Sequence, residues 1–331
     1  MKNIPLSVLD LAIVVQGGDP ADAIRRTVTL AQQVENLGYN RLWLAEHHNM
    51  EHVASSATSV LIGHVAGQTK HMRIGSGGIM LPNHSPLVIA EQFGTLESIY
   101  PGRIDLGLGR APGTDQLTAY ALRRNNMTAA DRFPEDVKEL QQYLSTDNHG
   151  AKVRAFPGEG LDIPLWILGS STDSAYLAAN YGLPYAFASH FAPAKLMDAI
   201  EIYRNNFKPS AQLEKPYVMA CVNAIGADTD EEAEHLVTSL YRMFMGIITN
   251  NRSPLSPPAP LPEMFYHPEI QQMVRNMTLY TFTGNKESLK EKFEVFVEAT
   301  GVDELMITSP IYDMDAKYKS FDLVKEVFET A

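Results

Sequence analysis

Short apolar runs alternate with longer segments of helical spacing along all 331 residues of the chain. Runs of about four to eight apolar residues are typical of buried parallel strands, and apolar residues three or four apart are typical of the helices that cover them. The alternation therefore predicts a parallel sheet with helices packed against it. The predicted strands are residues 6–11, 41–46, 72–79, 103–108, 165–168, 186–188, 217–225 and 304–308.

Each predicted strand is followed by a helix. The first helix has clear end signals, because Asp19 can cap it, Pro20 occupies its first position and Gly38 stops it. Because no linker-like break in composition divides the chain, residues 1–331 are expected to form one (β/α)8 TIM barrel rather than an open doubly wound sheet. Of the other predicted helices, one begins at Ser55 and Ser56 and another follows Pro193. The remaining helices are predicted at residues 86–100, 134–144, 171–181, 228–248, 286–300 and 317–329.

Three connections are predicted to differ from ordinary short turns. A long polar loop follows the fourth strand, and residues 152–157 are expected to form a hairpin. Residues 250–268 contain six prolines, so this segment can hold neither a helix nor a central strand. A loop of this length in a compact domain is usually a lid or a binding loop, so residues 250–268 are predicted to be one of the two.

Composition excludes several classes of partner. The formal net charge is −12 and no Lys/Arg cluster is present, which argues against nucleic acid and against an anionic membrane surface. The single cysteine, Cys221, lies in a strand-like apolar run and is interpreted as a buried structural thiol. Because no signal-peptide pattern and no membrane-length apolar stretch is found, a cytoplasmic protein is expected.

In TIM barrels the active site lies at the carboxyl ends of the strands, so the residues just after each strand are the functional candidates. This position selects Asp10, His47, His48, Gly77, Gly78, Arg110, Gly169, Ser170, Ser171, His190 and Thr308.

Two of these strand ends carry the chemistry of an anion site. Residues 107–113 (GLGRAPG) are rich in glycine and present one fixed charge, Arg110. Their spacing is one residue off the dinucleotide fingerprint, and a plain turn with a solvated arginine is the alternative. After the fifth strand, Gly169, Ser170 and Ser171 precede a helix, where ordinary N-capping is the alternative. Because neighbouring strands bring both groups to one rim, a phosphate site is predicted.

Glycines and histidines mark two further strand ends. The run of glycines at residues 75–78 can be explained by a flat ring lying on bare backbone or by loose packing of a barrel corner. His47 is placed for proton transfer or for stabilising an anionic intermediate, with a hydrogen-bonded or solvated side chain as the alternative. His48 is interpreted as a hydrogen-bonded or solvated side chain, and the role of His190 stays open. Adjacent histidines such as His47 and His48 rarely share one ion, and neither H-E-x-x-H nor a Cys/His pattern is present, so no metal is predicted.

Four motifs, in matching order and at matching intervals, resemble those of the bacterial luciferase-like flavin monooxygenases. They are residues 42–48 (LWLAEHH), 74–82 (IGSGGIMLP), 102–110 (GRIDLGLGR) and 182–184 (GLP), the last following the turn at residues 169–171. The resemblance covers almost the whole chain. It implies a TIM barrel that binds FMN, which a separate NAD(P)H-dependent flavin reductase supplies in reduced form and which reacts with O2 to give a C4a-peroxyflavin.

The resemblance also implies roles for individual residues. His47 matches a histidine thought to support the oxygenated intermediate, and Gly77 and Gly78 match a pair joined by a cis peptide against the isoalloxazine ring. Arg110, together with Ser170, Ser171 and Ser174 beside Gly169, matches the phosphate-binding positions. The Pro-rich residues 250–268 match a mobile lid, and relatives of this kind suggest a homodimer.

One departure from the family pattern limits what the resemblance implies. The luciferase catalytic subunit has a reactive cysteine before the arginine, whereas this chain has Gly109, so light emission from an aldehyde is not implied. The sequence therefore predicts a two-component FMN-dependent monooxygenase acting on a small organic substrate. A non-catalytic flavin-binding barrel and a deazaflavin-dependent hydride-transfer oxidoreductase are the alternatives.

Overall fold

A closed barrel of parallel strands forms the centre of the computed structural model, which describes residues 4–123 and 128–329. Eight strands close it in the order β1-β2-β3-β4-β5-β6-β7-β9, with β9 pairing back onto β1. The predicted TIM barrel is therefore confirmed. The strands are β1 (Leu6–Asp10), β2 (Arg41–Leu44), β3 (Arg73–Met80), β4 (Ile104–Gly109), β5 (Leu165–Gly169), β6 (Tyr185–Phe187), β7 (Val218–Gly226), β8 (Thr281–Gly284) and β9 (Glu304–Thr308).

Strand β8 lies outside the closed barrel and was not predicted. It pairs with the carboxyl end of β7, where Asn223 faces Thr281 of β8 on one side and Thr308 of β9 on the other. The sequence of β8 is Thr-Phe-Thr-Gly, which has no apolar run, so the hydrophobic pattern could not distinguish it from a turn.

The first helix shows why these segments become helical. Asp19 accepts the backbone N–H of Asp22 at 2.7 Å, Pro20 is in the first turn, and Gly38 beyond the helix has a φ of 73°, as predicted for a cap and a stop. No helix of the described residues is both long and apolar enough to cross a membrane. The helices are α1 (Pro20–Asn36), α2 (Thr58–Ala66), α3 (Pro86–Ile99), α4 (Gln116–Arg123), α5 (Phe133–Leu144), α6 (Thr172–Tyr181), α7 (Leu196–Asn206), α8 (Asp230–Leu236), α9 (Thr238–Ile248), α10 (Pro268–Met277), α11 (Lys286–Thr300) and α12 (Met314–Glu329).

Some predicted connections are wrong. Helix α4 lies within the predicted polar loop, where Asp115 accepts the backbone N–H of Thr118 at 3.0 Å and so starts it; residues 124–127 of that loop lie outside the described residues. Residues 152–157 form turns and no hairpin. The predicted helix 228–248 is two helices, α8 and α9, that meet at Val237.

The inside of the barrel is filled and closed at its amino-terminal end. Arg41 pairs with Asp105 at 2.7 Å and with Glu304 at 2.8 Å, and its guanidinium lies 4.8 Å from the ring centre of Trp166. Trp43 packs edge-on against Trp166 at 5.1 Å. These side chains are buried inside the barrel, and the ligands of TIM barrels bind at the carboxyl ends of the strands.

Candidate active site

His47 lies just beyond β2, where the loop after β4 holds its ring. The carbonyl of Gly113, 3.2 Å from Nδ1, can only accept a hydrogen bond, so Nδ1 carries the proton and Nε2 remains an acceptor. Gly113 has a φ of 65°, and a Cβ there would lie 2.7 Å from the carbonyl of Glu46, so glycine is required for this turn. Burial lowers the pKa of His47, with a smaller contribution from the positive charge of Arg252. The imidazole is therefore neutral near neutral pH.

Glu46 joins the loops after β2 and β3. Its side chain is buried, and one carboxylate oxygen accepts from Nε2 of His48 at 2.8 Å and from Nε2 of His84 at 2.9 Å. The other oxygen accepts the backbone N–H of Met80 at 3.1 Å. Although burial opposes ionisation, the hydrogen bonds from both imidazoles lower the pKa of Glu46 to about 2. Glu46 is therefore a permanent carboxylate next to His47.

This Glu46 cluster was missed by the sequence analysis. His48 is hydrogen-bonded, which is one of the two states expected for it, but no role was predicted for Glu46 or His84. The strand-end rule could have selected His84, because it lies four residues after the carboxyl end of β3. The ligand atoms of the three residues lie within 4.8 Å of one another, a spacing that a metal ion could use. Both imidazoles already donate to the carboxylate, so the absence of a metal stays our prediction.

The peptide bond between Gly77 and Gly78 is cis, as the resemblance implied. It lies where the register of β3 against β4 shifts, between Ser76 and Ile79. A Cβ on Gly78 would lie 2.7 Å from the carbonyl oxygen of Gly107, and a Cβ on Gly77 would lie 2.9 Å from a methyl group of Leu9. Loose packing of a barrel corner is therefore the wrong explanation for these glycines, because the surroundings are too tight for a side chain.

Arg110 is at the rim after β4 and points toward the start of α6. Its guanidinium is 3.4 Å from the carboxylate of Asp173, and the two side chains are 52% and 70% exposed. Such an exposed pair contributes little stability and is readily exchanged for another anion. The structure thus brings the predicted Arg110 to the predicted Ser170 and Ser171 turn, with a competing carboxylate that the sequence analysis did not consider.

The start of α6 has unused hydrogen-bonding groups. Ser171 occupies the N-cap position, but its side chain makes no capping bond, and within residues 4–123 and 128–329 the Ser170 hydroxyl has no partner. Ordinary capping by Ser171 is therefore wrong. Ser174 already donates to the Ser171 carbonyl at 2.6 Å and lies where a Cβ on Gly169 would collide with its hydroxyl at 1.8 Å. Ser174 and Gly169 hold this turn together.

Other strand-end candidates have structural partners. Asp10 accepts from Thr27 at 2.5 Å and from Lys317 at 3.1 Å, and these partners lower its pKa despite burial. Cys221 is buried inside the barrel, where burial raises the pKa of its thiol, in agreement with the predicted structural role. Thr308 is buried beside Asn223 in the β7–β9 pairing.

The Pro-rich segment is attached to the same rim. Leu255 is buried and donates its backbone N–H to the carbonyl of Val14 at 2.9 Å. Close by, Nη1 of Arg252 lies 3.7 Å from Sδ of Met50, in the loop that carries His47. This attachment explains why Arg252 affects the pKa of His47, and it places residues 250–255 over the His47 loop.

Comparison with known proteins identifies the family of this chain. The sequence model of the luciferase-like monooxygenase family matches residues 7–304. The protein YvbT of Bacillus subtilis (strain 168) is 52% identical, and a luciferase-like monooxygenase of Escherichia coli (strain K12) is 48% identical; each alignment covers 99% of this chain and 98% of the relative. The crystal structure of apo-MsnO8 is 32% identical, with a TM-score of 0.90 and 99% coverage of both chains. The chain belongs to the luciferase-like monooxygenase family and is a flavin-dependent monooxygenase.

Proposed function

We propose that this chain is the oxygenase component of a two-component monooxygenase, which uses reduced FMN and O2 to oxygenate a small, apolar organic substrate. The observation that carries the choice of FMN is the anion-binding chemistry at the start of α6. Ser170 and Ser171 have hydroxyls without a capping role there, and the guanidinium of Arg110 points at the same turn. Free N–H groups of a helix start and a guanidinium together are suited to a phosphate.

The phosphate of FMN would replace Asp173 as the partner of Arg110. The exchange is favourable, because a phosphate offers the guanidinium two oxygens and a larger charge, whereas the pair with Asp173 spans 3.4 Å in solvent. Ser170 and Ser171 would donate to the same phosphate. Ser174 contributes indirectly in this proposal, because its hydroxyl is already committed to the carbonyl of Ser171.

The flavin ring would lie on Gly77 and Gly78, beside His47. When bound, the reduced flavin supplies the electrons with which one atom of O2 enters the substrate and the other becomes water. His47 would hold a hydrogen bond or move a proton at Nε2, since its Nδ1 proton is committed to Gly113. Residues 250–268 would exclude water from the ring as a lid.

Names and structures of relatives support parts of this proposal. A protein of Bacillus subtilis (strain 168) that is 31% identical over 98% of both chains is an N-acetyl-S-alkylcysteine monooxygenase. A trigonelline monooxygenase of Acinetobacter baylyi, 22% identical, is described as an oxygenase component, which fits a system with a separate NAD(P)H-dependent flavin reductase. These names support the proposed reaction class, but they do not identify the substrate of this chain.

Two alternatives remain distinct from this proposal. The fold is shared with a 3,6-diketocamphane monooxygenase solved with FMN, at 19% identity, and with an F420-dependent secondary alcohol dehydrogenase, at 17% identity. The fold therefore accommodates both FMN and a deazaflavin. A barrel that binds flavin without turnover is the other alternative. His47 argues against it, because the bond from Nδ1 to Gly113 leaves Nε2 as a hydrogen-bond acceptor at the rim.

One experiment separates the three. The purified chain is mixed anaerobically with photoreduced FMN or reduced F420, O2 is added, and absorbance is followed. A flavin–oxygen species that outlasts the free-flavin control supports the proposal, and its absence despite tight FMN binding supports the non-catalytic barrel. Affinity for F420 without affinity for FMN supports the hydride-transfer enzyme. NAD(P)H alone should not reduce the bound FMN, because a separate reductase is proposed.

The proposed cytoplasmic location and homodimer require their own tests. Cell fractionation addresses the location, and light scattering after gel filtration gives the mass in solution, for comparison with 36.7 kDa for one chain.

A further inference from the structure

A ring nitrogen of His190, just beyond β6, is buried without a hydrogen-bond partner. Within residues 4–123 and 128–329, four buried side-chain atoms are unpaired: His190 Nδ1, Trp166 Nε1, Arg123 Nη2 and Ser239 Oγ. Of these, His190 is close enough to His47 for a charge on one ring to lower the pKa of the other. Buried polar atoms in native proteins nearly always have a partner, so this nitrogen requires an explanation.

The main chain around His190 is held by hydrogen bonds to β7. On one side, Ser189 donates its hydroxyl to the carbonyl of Cys221 at 2.6 Å, and on the other, Asn223 donates its side-chain amide to the carbonyl of His190 itself at 2.6 Å. The imidazole also packs edge-on against Phe191, with ring centres 4.8 Å apart. Strand β7 therefore holds the main chain on both sides of His190, and the ring lies against Phe191 before any ligand binds.

The charge state of His190 restricts the kind of ligand. Burial, with a small contribution from His47, lowers the pKa of His190 to about 3, so the ring is neutral at any pH at which the protein would work. A neutral imidazole has one N–H donor and one acceptor nitrogen. It therefore suits an uncharged polar group, whereas the phosphate or a carboxylate would call for the permanent charge of an arginine.

We propose that Nδ1 of His190 forms a hydrogen bond with the uncharged polar edge of the bound flavin ring. This inference rests on the proposed function, in which the phosphate lies at Arg110 and the ring covers Gly77 and Gly78. A ring in that position occupies the mouth of the barrel that His47 and His190 border. The carbonyl and N–H groups of the ring edge are uncharged partners of the required kind. His190 would thus bind and orient the ring, separately from the phosphate site.

The test uses oxidised FMN and riboflavin as probes, without turnover. In protein carrying 15N-labelled histidine, FMN should shift the Nδ1 resonance of His190. Titration by flavin fluorescence should show that His190→Phe weakens FMN and riboflavin alike, by about tenfold, because the lost contact is to the ring. His190→Asn, which keeps an N–H near the same place, should recover part of the affinity. His235→Asn, at an exposed position of α8, is the matched control and should change nothing.

The possible failures are distinguishable. If the wild-type chain does not bind FMN, the proposed cofactor is wrong and the inference falls with it. If the wild-type chain binds FMN but the His190 resonance stays unmoved and His190→Phe keeps full affinity, this inference alone is overturned. The resonance is measured on the unaltered protein, so the result stands even if a variant folds poorly.

Discussion

The loop after β4 fixes the hydrogen-bonding state of His47, because the carbonyl of Gly113 accepts its Nδ1–H at 3.2 Å. The outward nitrogen, Nε2, is consequently an acceptor. The glycine-rich residues 107–113 therefore make two contacts at the rim. Arg110 extends toward α6, and Gly113, at a φ of 65°, orients His47. The sequence suggested only the first of these.

Two substitutions of His47 should distinguish the roles of its two ring nitrogens. His47→Asn keeps an N–H near Nδ1 that can still donate to Gly113, but it lacks Nε2. We expect oxygenation to slow about 100-fold, the usual size of one acid–base contribution, while affinity for FMN stays within about twofold. His47→Ala loses both groups and should be at least as slow. Stopped-flow absorbance after addition of O2 measures the effect, and an unchanged lifetime of the oxygen-dependent species in His47→Asn would remove Nε2 from the mechanism.

Arg110 and Asp173 should have opposite effects on cofactor affinity. Arg110→Ala should weaken FMN by about 10- to 100-fold and riboflavin by less than about threefold, because the lost contacts are to the phosphate. Asp173→Asn removes the carboxylate that competes for Arg110, so FMN should bind more tightly. Fluorescence titration with both flavins measures these changes. Equal weakening of FMN and riboflavin in Arg110→Ala would place the phosphate elsewhere.

Glu46→Gln should affect both stability and the site. Its carboxylate accepts two imidazole N–H groups and one backbone N–H, and an amide can satisfy these donors only in part. Since charge-assisted hydrogen bonds contribute about 1.5–3 kcal/mol, the free energy of unfolding should fall by about 2 kcal/mol, measured by urea denaturation. FMN affinity should fall too, because Glu46 holds the β2 and β3 loops together.

Glu35→Gln provides the control for Glu46. Glu35 accepts three backbone N–H groups, from Lys70, His71 and Met72 at 2.8, 2.6 and 2.9 Å, just before β3 begins. This variant should lower stability and leave FMN affinity unchanged. If Glu46→Gln behaved in the same way, Glu46 would have a structural role alone.

His190 should make the protein sensitive to mild acid. Its pKa is about 3 in the folded chain and 6.5 for the unperturbed side chain, so below pH 6.5 the unfolded state binds more protons. As the pH falls from about 6.5 to 3, the contribution of His190 to the free energy of unfolding should therefore decrease by about 1.4 kcal/mol for each pH unit. Glu46, with a pKa lowered from 4.5 to about 2, adds a further loss below about pH 4.5.

Urea unfolding between pH 5 and 6.5 measures this slope, to which His47 and His52 also contribute because their pKa values are lowered too. Comparison with a His190 variant separates the contribution of His190. His190→Asn should reduce the slope of stability against pH by the equivalent of one proton, whereas His235→Asn should leave the slope unchanged. An identical slope in His190→Asn and the wild type would mean that His190 is protonated in the folded chain.

Much of the fold could be predicted because local patterns carry it. Continuous apolar runs of about four to eight residues and caps such as Asp19 are short-range features, and they predicted all eight barrel strands and most helices. The exceptions are β8, which lacks an apolar run, and the helices α4 and α10, which bury little besides Ala119 and Val274 respectively. The strand-end rule then selected His47, Gly77, Gly78, Arg110 and His190 as rim residues.

The contacts between these rim residues were decided by the tertiary structure alone. Glu46 meets His84 across 38 positions of sequence, and His47 meets Gly113 across 66. The Arg110–Asp173 pair spans 63 positions. Among the described residues Nδ1 of His190 has no hydrogen-bond partner, although the main-chain carbonyl of His190 accepts from Asn223. Sequence by itself determined which side chains reach the rim of the barrel. Only closure of the barrel, which brings distant strand ends together, decided which of them are paired, which are neutral and which remain open to a ligand.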